Sequence, residues 1–355
     1  MLKRRTFLTS LLAATAAPCV TWADAGNPAY LAAAKKPDGS YGLYGLDARG
    51  QVRFGMPLPT RGHAAAAHPT RPLAVAFARR PGTYAIVLDC ISGDVINRLE
   101  APEGRHFYGH GAFSLDGTML FTTENDLETG AGVIGVWDDF QRVGEFPSNG
   151  IGPHEILRLP MSDTLVVANG GILTHPDTGR AKLNLDSMRP NLSYLTPEGQ
   201  VVAQIEFPEH QNSIRHLTVR PDGLVGMAMQ WQGHLAQAPA LLALHSLGEP
   251  PVALIAPPEK HRWLKGYAGS IAFSANGESV AITSPHGGVA QVFNAESGGF
   301  SAQIKRPDIC GLAAGLDGFI ATDGLGGVAQ IMAGQDTPLS ESADISWDNH
   351  LIKIG

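Results

Sequence analysis

Thirteen histidines stand in this chain of 355 residues, and the spacing of five of them is the first sign of chemistry. His63, His110, His154 and His216 each open an apolar run of strand character, followed by a polar turn and a second such run. The clearest copy is HGAFSLDGTMLFTTEND, beginning at His110, and His350 opens the last run of the chain, HLIKI. Imidazole is a common ligand for zinc, copper, iron and nickel, and several imidazoles converging on one point need a metal or ordered water to satisfy them. The five are therefore candidate ligands for an iron or copper ion, with three or four binding and the others supporting them from behind. The plainer alternative is a polar channel in which each histidine hydrogen-bonds a neighbouring backbone and no metal takes part.

Residues so far apart can meet only if the fold repeats. The strand, turn, strand phrase recurs from residues 63, 110, 154, 216, 270 and 311, and each copy is followed by two further strand-like runs, such as GVIGVWD then RVGEFP. The unit is four strands. Three runs near the N-terminus (YLAAAK, YGLYGLD, VRFGMPL) lack an opening strand, and the terminal HLIKI supplies one. The expected fold is an all-β, seven-bladed β-propeller whose first blade is closed by the C-terminal strand. The seven blades fall at about 29–59 with 344–355, then at 62–101, 109–147, 153–206, 215–256, 269–305 and 309–341. In that arrangement the five histidines occupy equivalent places around the axis, while Ser270 and Gly311 fill the remaining two.

Composition narrows the class. Forty-four per cent hydrophobic content and 17% charged residues suit one large core, and a net charge of −7 without a basic run argues against nucleic acid. Lys3-Arg4-Arg5-Thr6-Phe7-Leu8, the apolar SLLAATAA and Ala23-Asp24-Ala25 have the layout of a twin-arginine export signal. Residues 1–25 are thus expected to be removed, leaving 26–355 as the propeller in the periplasm, with no segment apolar and long enough to span a membrane. Cys90 and Cys310 remain in the mature chain, too far apart in the blades to bridge.

A second candidate site lies beside His154. The stretch 169–190, NGGILTHPDTGRAKLNLDSMRP, is long for a propeller connection and carries His175 and Arg180. With Glu124, which ends a second strand near the channel, these residues are candidates for binding a cofactor or an anionic substrate. Glu155, next to His154, is expected to point to an adjacent blade and pair with a basic residue. No nucleophile elbow, Ser-His-Asp order or phosphate loop is present.

The runs GHGAFSLDGTMLFTTEND, EFPSNGIGPHEI, VVANGGILTHPDTGRAKLNLDSMRPNLSYL and SIRHLTVRPDG resemble an exported bacterial propeller family catalogued as a domain of unknown function, number 1513. The resemblance implies a twin-arginine leader, a periplasmic role in iron uptake or handling, and imelysin-like or di-haem partner proteins. A weaker likeness is to nitrous oxide reductase, whose propeller holds copper with channel histidines. Three functions stay open: an iron- or copper-binding propeller serving metal acquisition, a lactonase-like hydrolase using Glu124, His175 and Arg180, and a non-catalytic docking scaffold.

Overall fold

A computed structural model describes residues 20–79, 82–179 and 181–354. Twenty-eight strands form seven four-stranded antiparallel sheets. In six of them the strands follow chain order from the axis outward. In the remaining one the C-terminal strand Ser346–Lys353 pairs with Tyr30–Lys35. The ring is closed by this pairing, and the structure is the seven-bladed propeller that the repeats imply.

The seven inner strands are Ser346–Lys353, Gly62–Ala67, Arg105–Phe113, Pro153–Arg158, Asn212–Val219, Ser270–Phe273 and Ile309–Ala314, and each lies against the inner strands of the blades on either side. Second strands such as LAVAFA (Leu73–Ala78) and LVVAN (Leu165–Asn169) are buried throughout. A strand covered on both faces has no reason to alternate, which is why these segments read as continuous apolar runs. The outermost strands keep at most two buried positions, as in VINRLE (Val95–Glu100), which has one.

There is no single core. Seven separate apolar clusters each fill the space between two neighbouring blades; Phe77, Val87, Phe107 and Trp137, for example, join blades two and three. The axis itself is left to polar side chains. Cys90 and Cys310 are both free and buried. Among the described residues no helix is long and apolar enough to cross a membrane.

Two boundaries differ from expectation. The inner strands of blades three and five begin at Arg105 and Asn212, several residues before their histidines, so His110 and His216 sit inside the channel and not at its lip. His106, which falls between the expected bounds of blades two and three, is also part of the strand Arg105–Phe113 and is buried.

The expected leader falls mostly on residues 1–19, outside the described residues. Of its remainder, Trp22 is only 8% exposed and packs with Leu43, Leu58 and Ile86 between blades one and two. Its indole N–H donates to the His68 carbonyl at 2.9 Å. Removing a buried tryptophan costs about 3–5 kcal/mol. A chain starting at Gly26 is therefore expected to unfold at clearly lower denaturant than one starting at Val20, and equal midpoints in a chemical denaturation would show that Trp22 adds nothing.

Candidate metal centre

In six of the seven blades the pairing of the inner strand with the second strand slips, the inner strand carrying the extra residues. The slips fall between Gly62 and Ala65, Phe107 and Gly111, Pro153 and Glu155, Ile214 and His216, and Ile309 and Leu312, and in blade one across residues 348–350. Bulges of this kind bend the strand and re-aim its side chains. All five channel histidines lie at these slips. Blade six, whose inner strand Ser270–Phe273 pairs without a slip, brings no histidine to the channel.

One glycine makes the arrangement sterically feasible. Gly109 has φ +103°, and a Cβ there would stand 2.3 Å from His63 Cδ2. A side chain at 109 would push the His63 ring aside, so the order Gly109-His110-Gly111 leaves room for one imidazole while presenting the next.

The five rings gather at one place. Going round the ring, centroids of His350 and His63 are 4.6 Å apart, His63 and His110 5.0 Å, His110 and His154 5.3 Å, and His154 and His216 4.8 Å. His216 and His350 close the circuit at 4.9 Å, although two blades separate them in the fold. Two overlapping triads can bring one ligand atom from each residue to within 4.8 Å of the others: His63, His110 and His350, and His110, His154 and His216. His110, His216 and His350 are buried, and His63 and His154 are partly exposed, giving each triad one accessible edge.

The hydrogen bonds behind the rings set their tautomers. His154 Nδ1 lies 3.0 Å from the Arg215 carbonyl, to which it donates, and His216 Nδ1 lies 3.2 Å from Glu155 Oε2. Glu155 Oε2 also accepts the Leu217 N–H at 3.0 Å, and Glu155 Oε1 is 3.7 Å from His110 Nδ1. A ligand histidine commonly gives its second nitrogen to a carboxylate or a backbone carbonyl in this way. By contrast, His63 Nδ1, His110 Nε2 and His350 Nε2 are buried with no hydrogen-bond partner, and they belong to the first triad. Outside the cluster, His245 Nε2 shares that condition.

Burial governs the charges. Desolvation, then the neighbouring histidines and Arg79, hold His63 well below the usual imidazole range; desolvation and neighbouring histidines do the same to His110, and desolvation and Arg215 to His154. His216 is pushed down to about 3 by desolvation and Arg215, and His350 to about 4 by desolvation and His216. Desolvation raises Glu155 to about 7. The cluster is thus a set of neutral imidazoles, the protonation state that binds metal.

The other candidates lie elsewhere. Glu124 is wholly buried with both oxygens engaged: Arg142 donates to Oε1 at 2.7 Å and to Oε2 at 3.0 Å, and the Thr122 hydroxyl adds 2.9 Å to Oε1. It braces blade three and is not free to act as ligand or base. His175 caps the short 3-10 helix Pro176–Thr178, its Nδ1 accepting the Asp177 N–H at 3.3 Å, and it takes no part in the histidine cluster. Arg180 lies outside the described residues. Glu155 does reach an adjacent blade, as strand alternation implies, but its partner there is His216 and not an arginine or lysine. That contact was hidden in the sequence because no spacing tells which ring of blade five meets blade four.

The sequence family described as protein of unknown function (DUF1513) matches residues 56–354, and the chain belongs to it. No curated protein matches the chain. Among solved structures, hydrazine synthase of Kuenenia stuttgartiensis is similar over 87% of this chain and 94% of that one, with a TM-score of 0.61 at 14% identity. At that identity the likeness concerns the fold alone.

Two outcomes follow. Unfolded histidines titrate near pH 6.5 while the folded ones resist protonation, so below that pH the unfolded chain binds more protons and stability falls as pH falls, by about 1.4 kcal/mol per pH unit for each histidine titrating fully. Glu155 works the other way, since its raised value lets the folded state keep a proton down from about 7, but it is one group against five. Metal-free protein is expected to lose denaturation midpoint steadily from pH 6.5 to 5, and a His63→Gln, His350→Gln double variant to lose it less steeply; parallel curves would contradict this origin. Glu124→Gln is expected to cost about 1.5–3 kcal/mol by weakening a charged hydrogen-bond pair, with metal content unchanged. Loss of bound metal in folded Glu124→Gln protein would return that residue to the site.

Proposed function

We propose that this member of the family is a metal-binding propeller that holds a transition ion, iron or copper, at the histidine cluster of its channel. The observation that carries the reading is the set of three buried, partnerless nitrogens on His63, His110 and His350. Leaving a polar atom buried and unpaired costs about 1–3 kcal/mol, and the three residues that carry these atoms can bring one ligand atom each to within 4.8 Å of the others, an arrangement that a shared cation accounts for. The hydrogen bonds from His154 and His216 to fixed acceptors support it further, because they leave Nε2 of each ring as the coordinating atom. The ion would supply a Lewis-acidic or redox centre; the chain supplies neutral nitrogen donors and a dry surround, and sets their tautomers through Glu155 and the Arg215 carbonyl.

The setting we propose is the periplasm, reached by the twin-arginine route, with metal acquisition or homeostasis as the task and an imelysin-like or di-haem protein as partner. The leader motif and the family resemblance support this setting. A docking role draws on a separate observation: Leu183, Leu235, Trp263 and Leu325 are exposed on loops of the face where the inner strands begin. The hydrolase reading loses its base, since Glu124 is bound to Arg142.

Metal analysis of protein purified without an affinity tag is expected to find about one equivalent or more of iron or copper after reconstitution, falling at least tenfold in His110→Ala, the residue shared by both triads. Less than a tenth of an equivalent, unchanged after soaking in either metal, would end the proposal.

A further inference from the structure

We infer that the cation this cluster is built to hold is copper in its monovalent state; the inference rests on the metal-site reading above and chooses between its two ions. The first ground is the donor set. Both triads consist of neutral imidazoles, and among the described residues no carboxylate or thiolate joins either. Glu155, the nearest acid, turns its oxygens to His110 Nδ1, His216 Nδ1 and the Leu217 N–H, behind the rings and away from their open nitrogens. The Cys310 sulfur lies against the carbonyls of Asp348 and Thr322, at 3.3 and 3.5 Å. No anionic donor therefore enters either triad, and the acids nearby, Glu155 and Asp348, act on the rings from outside it.

The second ground is the surrounding charge. Asp348, two residues before His350, faces both Arg61 at 2.7 Å and Arg79 at 3.5 Å, so two guanidinium groups share one carboxylate. Arg79 opposes positive charge on His63 and Arg215 opposes it on His154 and His216, while at His350 the carboxylates of Glu155 and Asp348 favour it ahead of the opposition from Arg79. The field that discourages a proton on these rings also opposes each added unit of metal charge. The desolvation cost of an ion grows with the square of its charge, so a monovalent ion meets roughly one quarter of the penalty of a divalent one and one ninth of that of a trivalent one.

The third ground is coordination. Imidazole suits copper, whereas ferric iron prefers anionic oxygen donors. Monovalent copper has a filled d shell and accepts two or three nitrogens without further ligands, which is what each triad offers. Zinc and ferrous iron also accept imidazole, but each brings a second charge into a buried site and takes a fourth or further ligand that neither triad supplies.

The test uses the full chain, reduced and anaerobic, with Cu(I), Cu(II), Zn(II) and Fe(II) each offered in competition with a chromophoric chelator of known affinity. Cu(I) is expected to bind at least about 100-fold more tightly than Zn(II) or Fe(II), and bound copper to keep a Cu(I) absorption edge with nitrogen neighbours. Arg215→Gln is expected to favour the divalent ions by about tenfold relative to Cu(I), because it removes a charge and not a donor; Arg79→Gln provides the same comparison if that variant does not fold. Equal or tighter binding of Zn(II) or Fe(II), or an equal effect of the arginine variants on all four ions, would overturn the inference. Failure of all four ions to bind would instead overturn the metal-site reading beneath it.

Discussion

Burying imidazole nitrogens without a protein partner is the constraint on which the rest of this molecule turns. Three of them, on His63, His110 and His350, sit in the channel with no protein partner, a state that costs free energy unless something else fills it. The fold sustains that state because its stability is drawn from elsewhere. Each of the seven interfaces between blades has its own apolar cluster, so the axis need not contribute packing and can be given over to polar groups. Burial then does two things at once: it keeps the rings uncharged, and it makes any cation they hold feel their dipoles and the nearby guanidinium groups at short range.

The repeat architecture and the bulges divide the work. Radial repetition brings distant residues to one axis, but a regular strand would point alternate side chains into the clusters between blades, where an imidazole has no place. The slips in the inner strands add residues at the level of the histidines and turn those side chains inward. Hydrogen bonds from second strands steady the turned backbone: the Thr123 hydroxyl donates to the His110 carbonyl, and the Thr283 hydroxyl to the Cys310 carbonyl at the corresponding slip of blade seven. Gly109 completes the device by letting the chain pass close beside His63.

Much of this was legible in the sequence, and the parts that were not share a cause. The repeated hairpins gave the blade count and the closing role of His350's strand, because period-two patterns and turn residues are local signals. The convergence of five histidines followed from register alone. What register could not give was depth or partner. His110 and His216 lie deeper than their hairpins suggested because the strands begin upstream of the apolar pattern, at Arg105 and Asn212. Glu124 looked available because it ends a strand near the axis; that Arg142, eighteen residues on, would take both its oxygens depends on how two strands of one sheet place long side chains, which no spacing records. Glu155 was aimed correctly at its neighbour blade, yet its partners are imidazoles from two other blades.

The number of histidines, five and not seven, is itself a consequence of packing. At Gly311, the place in blade seven that corresponds to the histidines, a Cβ would come within 2.5 Å of the Thr322 hydroxyl and 3.0 Å of Leu351 Cβ. A side chain there would clash, so blade seven offers no ring at Gly311. In blade six the Ser270 hydroxyl accepts the Leu312 N–H at 3.2 Å, tying that blade to its neighbour at the same level. Blades six and seven thus bring no ring to the axis, and across them His216 and His350 approach to 4.9 Å. The cluster is displaced toward blades one to five, which is why its two triads share His110 of blade three, the middle member of that arc. The five rings thus form a compact, one-sided cluster whose partly exposed members, His63 and His154, give each triad its accessible edge.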